Sequence, residues 1–413
     1  MGAYCAQLGI KRPLLVTDPG LVTVGLVEPV REAMATTCEQ VSLFSEVTAD
    51  PAESVVLDAL AALRASEADG VVGLGGGSSM DVAKAIAVLA AGTQTLAEAY
   101  GVDQVVGGRL PLILIPTTAG TGSEVTPVAV ITTGETTKAG ISSPVLMPDI
   151  AVLDAELTLG LPAHVTAMTG IDAMVHAIEA YTSKIKKNPV SDMLARQALA
   201  LLSANQRRVL SHPDDVAARE AMLLGATLAG QAFANAPVAA VHALAYPLGG
   251  HYHMPHGLSN ALMLPAVLRF NAPAAEALYL ELAPLLPEPV APGLEGFVRW
   301  FEDLIADAAL PTTLSAADVP ERDLPMLAAD AMLQQRLLVN NPVEVDEAAV
   351  WALKFLRIGE KSVRWEVGVF ASDAEQSCVT GTFTHAFVDR ESGRSARVPE
   401  GIRRAIEALP AAK

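Results

Sequence analysis

The feature that most constrains this chain is the segment 70–90, GVVGLGGGSSMDVAKAIAVLA. A short apolar run passes into consecutive glycines and then into a helical period. This reads as a buried strand, a tight loop and the helix that follows it. Such a unit needs a sheet whose faces are covered by helices, and neighbouring segments repeat the theme. RPLLVTD (12–18) and LPLILIPTT (110–118) read as buried strands, and LVEPVREAM and SVVLDALAALRAS (54–66) read as helices. Short apolar strands alternating with helices predict an α/β domain with a parallel sheet, which binds ligands at the carboxyl ends of its strands.

From about residue 160 the pattern changes to long helical periods with little strand signal, up to about 355. After 356 a period-2 alternation appears at Val363, Trp365, Val367 and Val369, followed by a second strand-like run, an extended piece and a short closing helix, EGIRRAIEALP. The expected organisation is an α/β domain over 1–159, an all-α domain over 160–356 and a β-rich appendage over 357–413. Charge marks the same boundary. The chain carries a net −18, and residues 357–413 hold nine Lys/Arg against eight Asp/Glu.

That acidity argues against nucleic acid or an anionic membrane as partner. There is no uninterrupted apolar stretch of the length a membrane span needs. Three cysteines, at 5, 38 and 378, fit neither a disulfide framework nor a zinc knuckle. The opening residues lack the apolar core of a signal peptide, so a cytoplasmic location is expected.

Four motifs carry chemistry. In GLGGGSSMD (73–81), Gly75, Gly76 and Gly77 let backbone approach a pyrophosphate, Ser78 follows, and a helix N-terminus supplies N–H donors. Neither the Walker pattern nor the usual Rossmann glycine spacing is present, and Asp81 has an alternative role in the helix's first turn. Asp18, in VTDPG, is suited to accept from ribose hydroxyls and repel a 2′-phosphate, although Asp-Pro-Gly is also plain turn chemistry. PTTAGTGSEVT (116–126) offers hydroxyls after a strand, among them Thr117, Thr118 and Thr121. The fourth motif is GIDAMVHAIEAY (170–181), which sets Asp172 and His176 four apart on one helix face, with Glu179 a supporting or surface acid.

Seventeen residues, 241–257, hold four of the eight histidines. His242 and Tyr246 are four apart before Pro247 and Gly249-Gly250, which are expected to end the helix. His256 lies beyond that break. Asp172, His176, His242 and His256 can therefore converge from three segments. One carboxylate with three imidazoles suits Fe²⁺ or Zn²⁺ and not Ca²⁺ or Mg²⁺.

At this point the chain resembles the iron-containing (group III) alcohol dehydrogenases over roughly residues 4–356, through GGGSSMDVAKA, PTTAGTGSEVT, GIDAMVHAIEAY, VHALAYPLGG and PHGLSNALMLP. The resemblance implies a nicotinamide-binding α/β domain, a helical metal domain and an active site in the cleft between them. It assigns Asp172, His176, His242 and His256 to the metal. It places Gly75, Gly76, Gly77 and Ser78 at the pyrophosphate, and Thr117, Thr118, Thr121 and Lys138 beside the cofactor, where Asp81 of the glycine motif is also expected. Asp18 becomes the acid that favours NAD over NADP. The expected substrate is a small alcohol or aldehyde and the expected assembly a homodimer or higher homo-oligomer. A maleylacetate-reductase-like or hydroxy-acid dehydrogenase activity is the alternative within the superfamily. A catalytically impaired dinucleotide-binding protein is the alternative outside it.

Three departures qualify the resemblance. Many family members carry a histidine where this chain has Tyr246, a residue of much higher ordinary pKa, so the proton relay falls to Tyr246, His251 or His253. The chain also starts later than its family does, which is expected to expose a sheet edge or weaken dimer pairing. Finally, the tail resembles the second half of a single-hotdog acyl-CoA thioesterase, through GTFTHAFVDRESGRSARVPEGIRRAI, without the half that bears that family's catalytic acid. No thioesterase activity and no CoA binding are expected of it.

Overall fold

The computed structural model describes residues 1–134, 137–287 and 290–346, and the backbone of 362–370 and 377–386. Two compact units result, Met1–Val350 and Trp351–Lys413.

The first unit opens as α/β. Its strands are β1 (Pro13–Val16), β2 (Ser42–Phe44), β3 (Gly70–Gly75), β4 (Gly101–Val102), β5 (Leu112–Pro116), β6 (Val128–Thr133), β7 (Thr137–Ser142) and β8 (Ile150–Ala151). Helices α1 (Gly2–Gln7), α2 (Pro19–Thr23), α3 (Val27–Ala35), α4 (Glu53–Ala65), α5 (Gly77–Ala91) and α6 (Leu96–Ala99) connect them. Five strands form a parallel sheet in the order β2-β1-β3-β5-β8.

Alternate residues of each strand serve opposite cores. Leu14, Val16, Val71, Leu112 and Leu114 pack with α4 and α5 on one face. Leu15, Val72, Leu74, Ile113 and Ile115 pack with α1 and α3 on the other. Burial on both faces is why these strands are continuously apolar in sequence. A separate three-stranded sheet, β4-β7-β6, joins an antiparallel β6–β7 hairpin to β4. The sequence reading had placed no strands there. β6 does open on a short apolar run, Val128-Ala129-Val130-Ile131, but only Ala129 and Ile131 are buried, and its partner β7 is polar with only Ile141 buried, so the pair lacks the fully buried apolar runs of the main sheet.

The helical part comprises α7 (Ala163–Thr182), α8 (Pro189–Ser211), α9 (Val216–Asn235), α10 (Ala240–Tyr252), α11 (His256–Leu282), α12 (Leu294–Asp307), α13 (Leu324–Met332) and α14 (Gln335–Leu338). Helix α10 corrects one expectation: it runs through Pro247 and Gly249-Gly250 and stops only at His253, in the left-handed conformation with φ 50°. Proline removes one helical N–H, yet Pro247, Leu248, Gly249 and Gly250 are all buried, and packing on both sides holds the helix together. No described helix is long and apolar enough to cross a membrane.

In the second unit, β9 (Ser362–Phe370) and β10 (Ser377–Ala386) pair antiparallel, from Val379 opposite Val369 to Ala386 opposite Ser362. The closing helix expected over 400–410 lies outside the described residues.

Candidate metal centre and nucleotide cleft

Three parallel strands end on the same edge of the main sheet, and their loops meet at the glycines. Gly75 has φ +149°, where side chains are strained, and a Cβ on it would stand 2.6 Å from Ser79 Oγ and 3.5 Å from Asp18 Oδ2. A Cβ on Gly76 would lie 3.6 Å from Thr118 Oγ1, and one on Gly77 would lie 2.9 Å from Thr121 Cγ2. The Thr117 N–H donates to the Gly75 carbonyl at 3.0 Å. Asp18, the three glycines and the threonine loop thus lie together at one edge of the sheet. Gly76 caps α5 without any side-chain hydrogen bond, which leaves the helix's first N–H groups for an anion.

Several predicted cofactor residues have partners within the protein. Asp18 Oδ1 accepts from Leu21 N at 3.0 Å and caps α2. Asp81 accepts from Ser123 Oγ at 2.7 Å and from Val130 N at 3.0 Å. Lys138 Nζ donates to Asp50 Oδ1 at 2.6 Å, and Asp50 N donates to Ser78 Oγ at 3.2 Å.

Behind Asp81 lies a buried network that the sequence reading missed. The fully buried Lys84 ammonium donates to Ser123 Oγ (2.7 Å), the Val128 carbonyl (2.8 Å) and Thr126 Oγ1 (3.2 Å). Glu124, also buried, accepts from Thr227 Oγ1 of α9 at 2.6 Å. Burial pulls Lys84 down to about 8, against the opposing pull of Asp81 and Glu124. Burial also pushes both of those carboxyls up.

Across the cleft, α7 carries Asp172 and His176, α10 carries His242 and α11 begins with His256. One ligand atom from each of the four lies within 4.8 Å of the others. The close approach of α11 to α7 requires glycine, because a Cβ on Gly257 would sit 2.3 Å from the Met168 carbonyl oxygen. The rings of His176 and His242 stack at 4.7 Å, and His176 stacks on Phe233 at 4.5 Å. Tyr246 places its ring 5.9 Å from that of His256.

The surroundings orient this set. Glu179, 4% exposed, accepts from Val241 N at 2.7 Å, Ala239 N at 3.0 Å and His242 Nδ1 at 2.6 Å. With its proton on Nδ1, His242 turns an unprotonated Nε2 to the centre, the tautomer following from this hydrogen-bond network. Asn260, one turn beyond His256, donates to Asp172 Oδ1 at 2.5 Å, and its amide nitrogen lies 3.2 Å from His242 Nε2 and 3.3 Å from His256 Nε2.

Burial raises Asp172, but His176, His256, His242 and the Asn260 hydrogen bond outweigh it and hold the carboxyl below its ordinary value. Burial lowers His176 and His242, which favours the neutral, ligating form of each imidazole. A buried anionic carboxylate beside neutral imidazoles is the protonation state a divalent transition ion requires. Of the four, His176 offers a buried Nδ1 without a hydrogen-bond partner, an orphaned donor that an ion would satisfy.

The relay candidates are dispersed. Tyr246 adjoins the centre, and burial pushes its hydroxyl up. His251 Nε2 contacts Asp330 Oδ2 of α13 at 2.5 Å. His253 is the exposed left-handed residue that ends α10.

Residues 1–155 match the family described as iron-containing alcohol dehydrogenase, and 166–354 match its C-terminal part. The chain is 40% identical to a long-chain-alcohol dehydrogenase of Geobacillus thermodenitrificans over 84% of this chain and 89% of that protein. A crystal structure of 1,3-propanediol oxidoreductase superposes with a TM-score of 0.82 at 36% identity, covering 86% of this chain and 94% of the other. The sulfoacetaldehyde reductase of Bifidobacterium kashiwanohense, solved with NAD+, superposes with a TM-score of 0.76 at 29% identity, covering 85% and 92%.

Proposed function

The chain belongs to the iron-containing alcohol dehydrogenase family, and on that premise we propose that it interconverts a small alcohol and its aldehyde or ketone with NAD(H). The convergence of Asp172, His176, His242 and His256 within 4.8 Å is the observation that carries the reading. These residues would hold a divalent ion, iron(II) by family and zinc by equal suitability of the donors. When bound, the ion supplies Lewis acidity to a substrate oxygen, and the nicotinamide gives or takes the hydride.

The chain's own residues set the geometry. Glu179 fixes the His242 ring, and Asn260 fixes the Asp172 carboxylate. Gly75, Gly76, Gly77 and Ser78 would cradle the pyrophosphate at the start of α5, with Thr117, Thr118, Thr121, Asp81 and Lys138 beside it. Asp18, at the end of β1, would take the ribose hydroxyls and disfavour a 2′-phosphate, so NAD is preferred to NADP. Tyr246 is the relay candidate nearest the centre. His251 would enter a relay only by leaving Asp330, and His253 only from the exposed end of α10.

The matched segments 1–155 and 166–354 support a domain division near residue 160. Assembly as a homodimer or higher homo-oligomer, a cytoplasmic location and a thioesterase-like but inactive tail complete the proposal. The test is NADH oxidation with a panel of small aldehydes, before and after chelation and with metal restored. Undiminished turnover by protein shown by elemental analysis to have lost its metal would sink the reading.

A further inference from the structure

Two cations meet at β7, Lys138 from the strand itself and Arg336 from α14. Lys138 and Gly140 are two apart on that strand and share a face. Lys138 is engaged by Asp50, and a Cβ on Gly249 of α10 would lie 3.5 Å from its ammonium. At Gly140 the missing side chain leaves room for Arg336: a Cβ there would stand 3.4 Å from Nη2 and 3.7 Å from Cζ. The Arg336 backbone is anchored from the opposite side. The buried Asn340 amide donates to the Arg336 carbonyl at 3.1 Å and to the Val238 carbonyl at 2.8 Å, four residues before His242.

The guanidinium therefore lies against β7, on a backbone tied beside the start of α10. Its charge reaches both Tyr246 and His242. Arg336 is exposed, and its guanidinium has no hydrogen bond or acid partner among the described residues. Elsewhere arginines find carboxylates readily, as Arg109 does with Asp149 and Arg269 with Glu295 and Glu302. In a chain of net charge −18, a guanidinium unpaired among the described residues, whose charge acts on Tyr246 and His242, stands out as a place for an anion.

We infer that Arg336 is a specificity-determining residue that holds a carboxylate or sulfonate carried by the carbonyl substrate, whose oxygen end lies toward Asp172 and the three histidines. A planar fork of N–H donors matches such groups bidentately, which an ammonium does not. The inference rests on the alcohol dehydrogenase reading of the site. A dinucleotide phosphate presents the same oxygen chemistry. The Lys138–Asp50–Ser78 chain already leads to the glycine loop, however, which puts the phosphates on the Lys138 side.

The test uses the metal-loaded full-length protein with saturating NADH and aldehydes paired by length, succinic semialdehyde against pentanal and sulfoacetaldehyde against propanal. The wild type is expected to prefer the anionic member, mainly through KM. Arg336→Ala is expected to cut the anionic-to-neutral ratio of kcat/KM by about 10- to 100-fold, the worth of a charged hydrogen bond. Arg336→Lys should retain part of it. A wild type with no preference overturns the inference, and needs no variant to fold. So does a ratio that survives Arg336→Ala, including the case where the KM for NADH rises instead, which would give the guanidinium to the cofactor. Chelator-sensitive turnover of the neutral aldehydes checks the parent reading separately. Absence of turnover with every aldehyde fails that reading and this one together.

Discussion

Replacing Glu179 by Gln keeps shape and removes charge, which isolates what the carboxylate does for His242. Its two oxygens accept three hydrogen bonds, Oε1 from Val241 N and Oε2 from both Ala239 N and His242 Nδ1. Glutamine has one accepting oxygen, so its amide nitrogen must face an N–H on one side or the other. In the cheaper arrangement the oxygen takes the Oε2 place, and the buried Val241 N–H loses its acceptor, at about 1–3 kcal/mol. The neutral oxygen also grips the His242 N–H more weakly, freeing the ring that presents Nε2 to the centre. Groups that orient a ligating histidine are worth about 10- to 100-fold in metal affinity, which is roughly 1.4–2.7 kcal/mol. Competition against a chelator of known affinity measures this in wild type and Glu179→Gln, with circular dichroism as the check on folding. A folded variant that holds its metal as tightly as the wild type would refute the assigned role of Glu179.

Two further perturbations probe the other wall of the cleft. Gly75→Ala puts a Cβ at φ +149° and 2.6 Å from Ser79 Oγ; strain of about 1–3 kcal/mol should weaken NADH binding by on the order of 10-fold. NADH fluorescence titration would read this, with metal content unchanged, and full retention of affinity would remove the glycine loop from the cofactor site. Lys84→Met leaves Asp81 and Glu124 buried without their cation, and should lower stability at neutral pH by about 3–5 kcal/mol in urea titrations. The pH dependence has a definite sign. With Lys84 at about 8 in the fold and 10.5 ordinarily, the unfolded chain binds the extra proton between those values. Wild-type stability therefore gains about 3 kcal/mol from this group as pH rises through that window. The gain should be absent in Lys84→Met, and its persistence would show that another group is responsible.

Much of the fold and the site was legible because local period encodes it. Strands buried on both faces must be continuously apolar, and β1, β3 and β5 are. Asp172 and His176 share a face because four residues make about one helical turn. The β6–β7 hairpin was not legible, because β6 is short and only partly buried and β7 is polar, and the run of α10 through Pro247 contradicts a sound local rule that buried packing overrides. Lys84 gave no sign of its role. A lysine in a helical run normally reads as solvated, and only the loop folded over α5 shows it fully enclosed.

The sequence by itself determined which side chains are available to a metal and a dinucleotide, and which neighbours on one helix point the same way. Only the tertiary structure decided that Glu179 would reach a histidine 63 residues away, that Asn260 would reach an aspartate 88 residues away, and that Arg336 would lie against Gly140, unpaired among the described residues. The reason is that spacing within one element fixes direction over a turn or two. The meeting of separate elements depends instead on how their surfaces pack, and no local period records that.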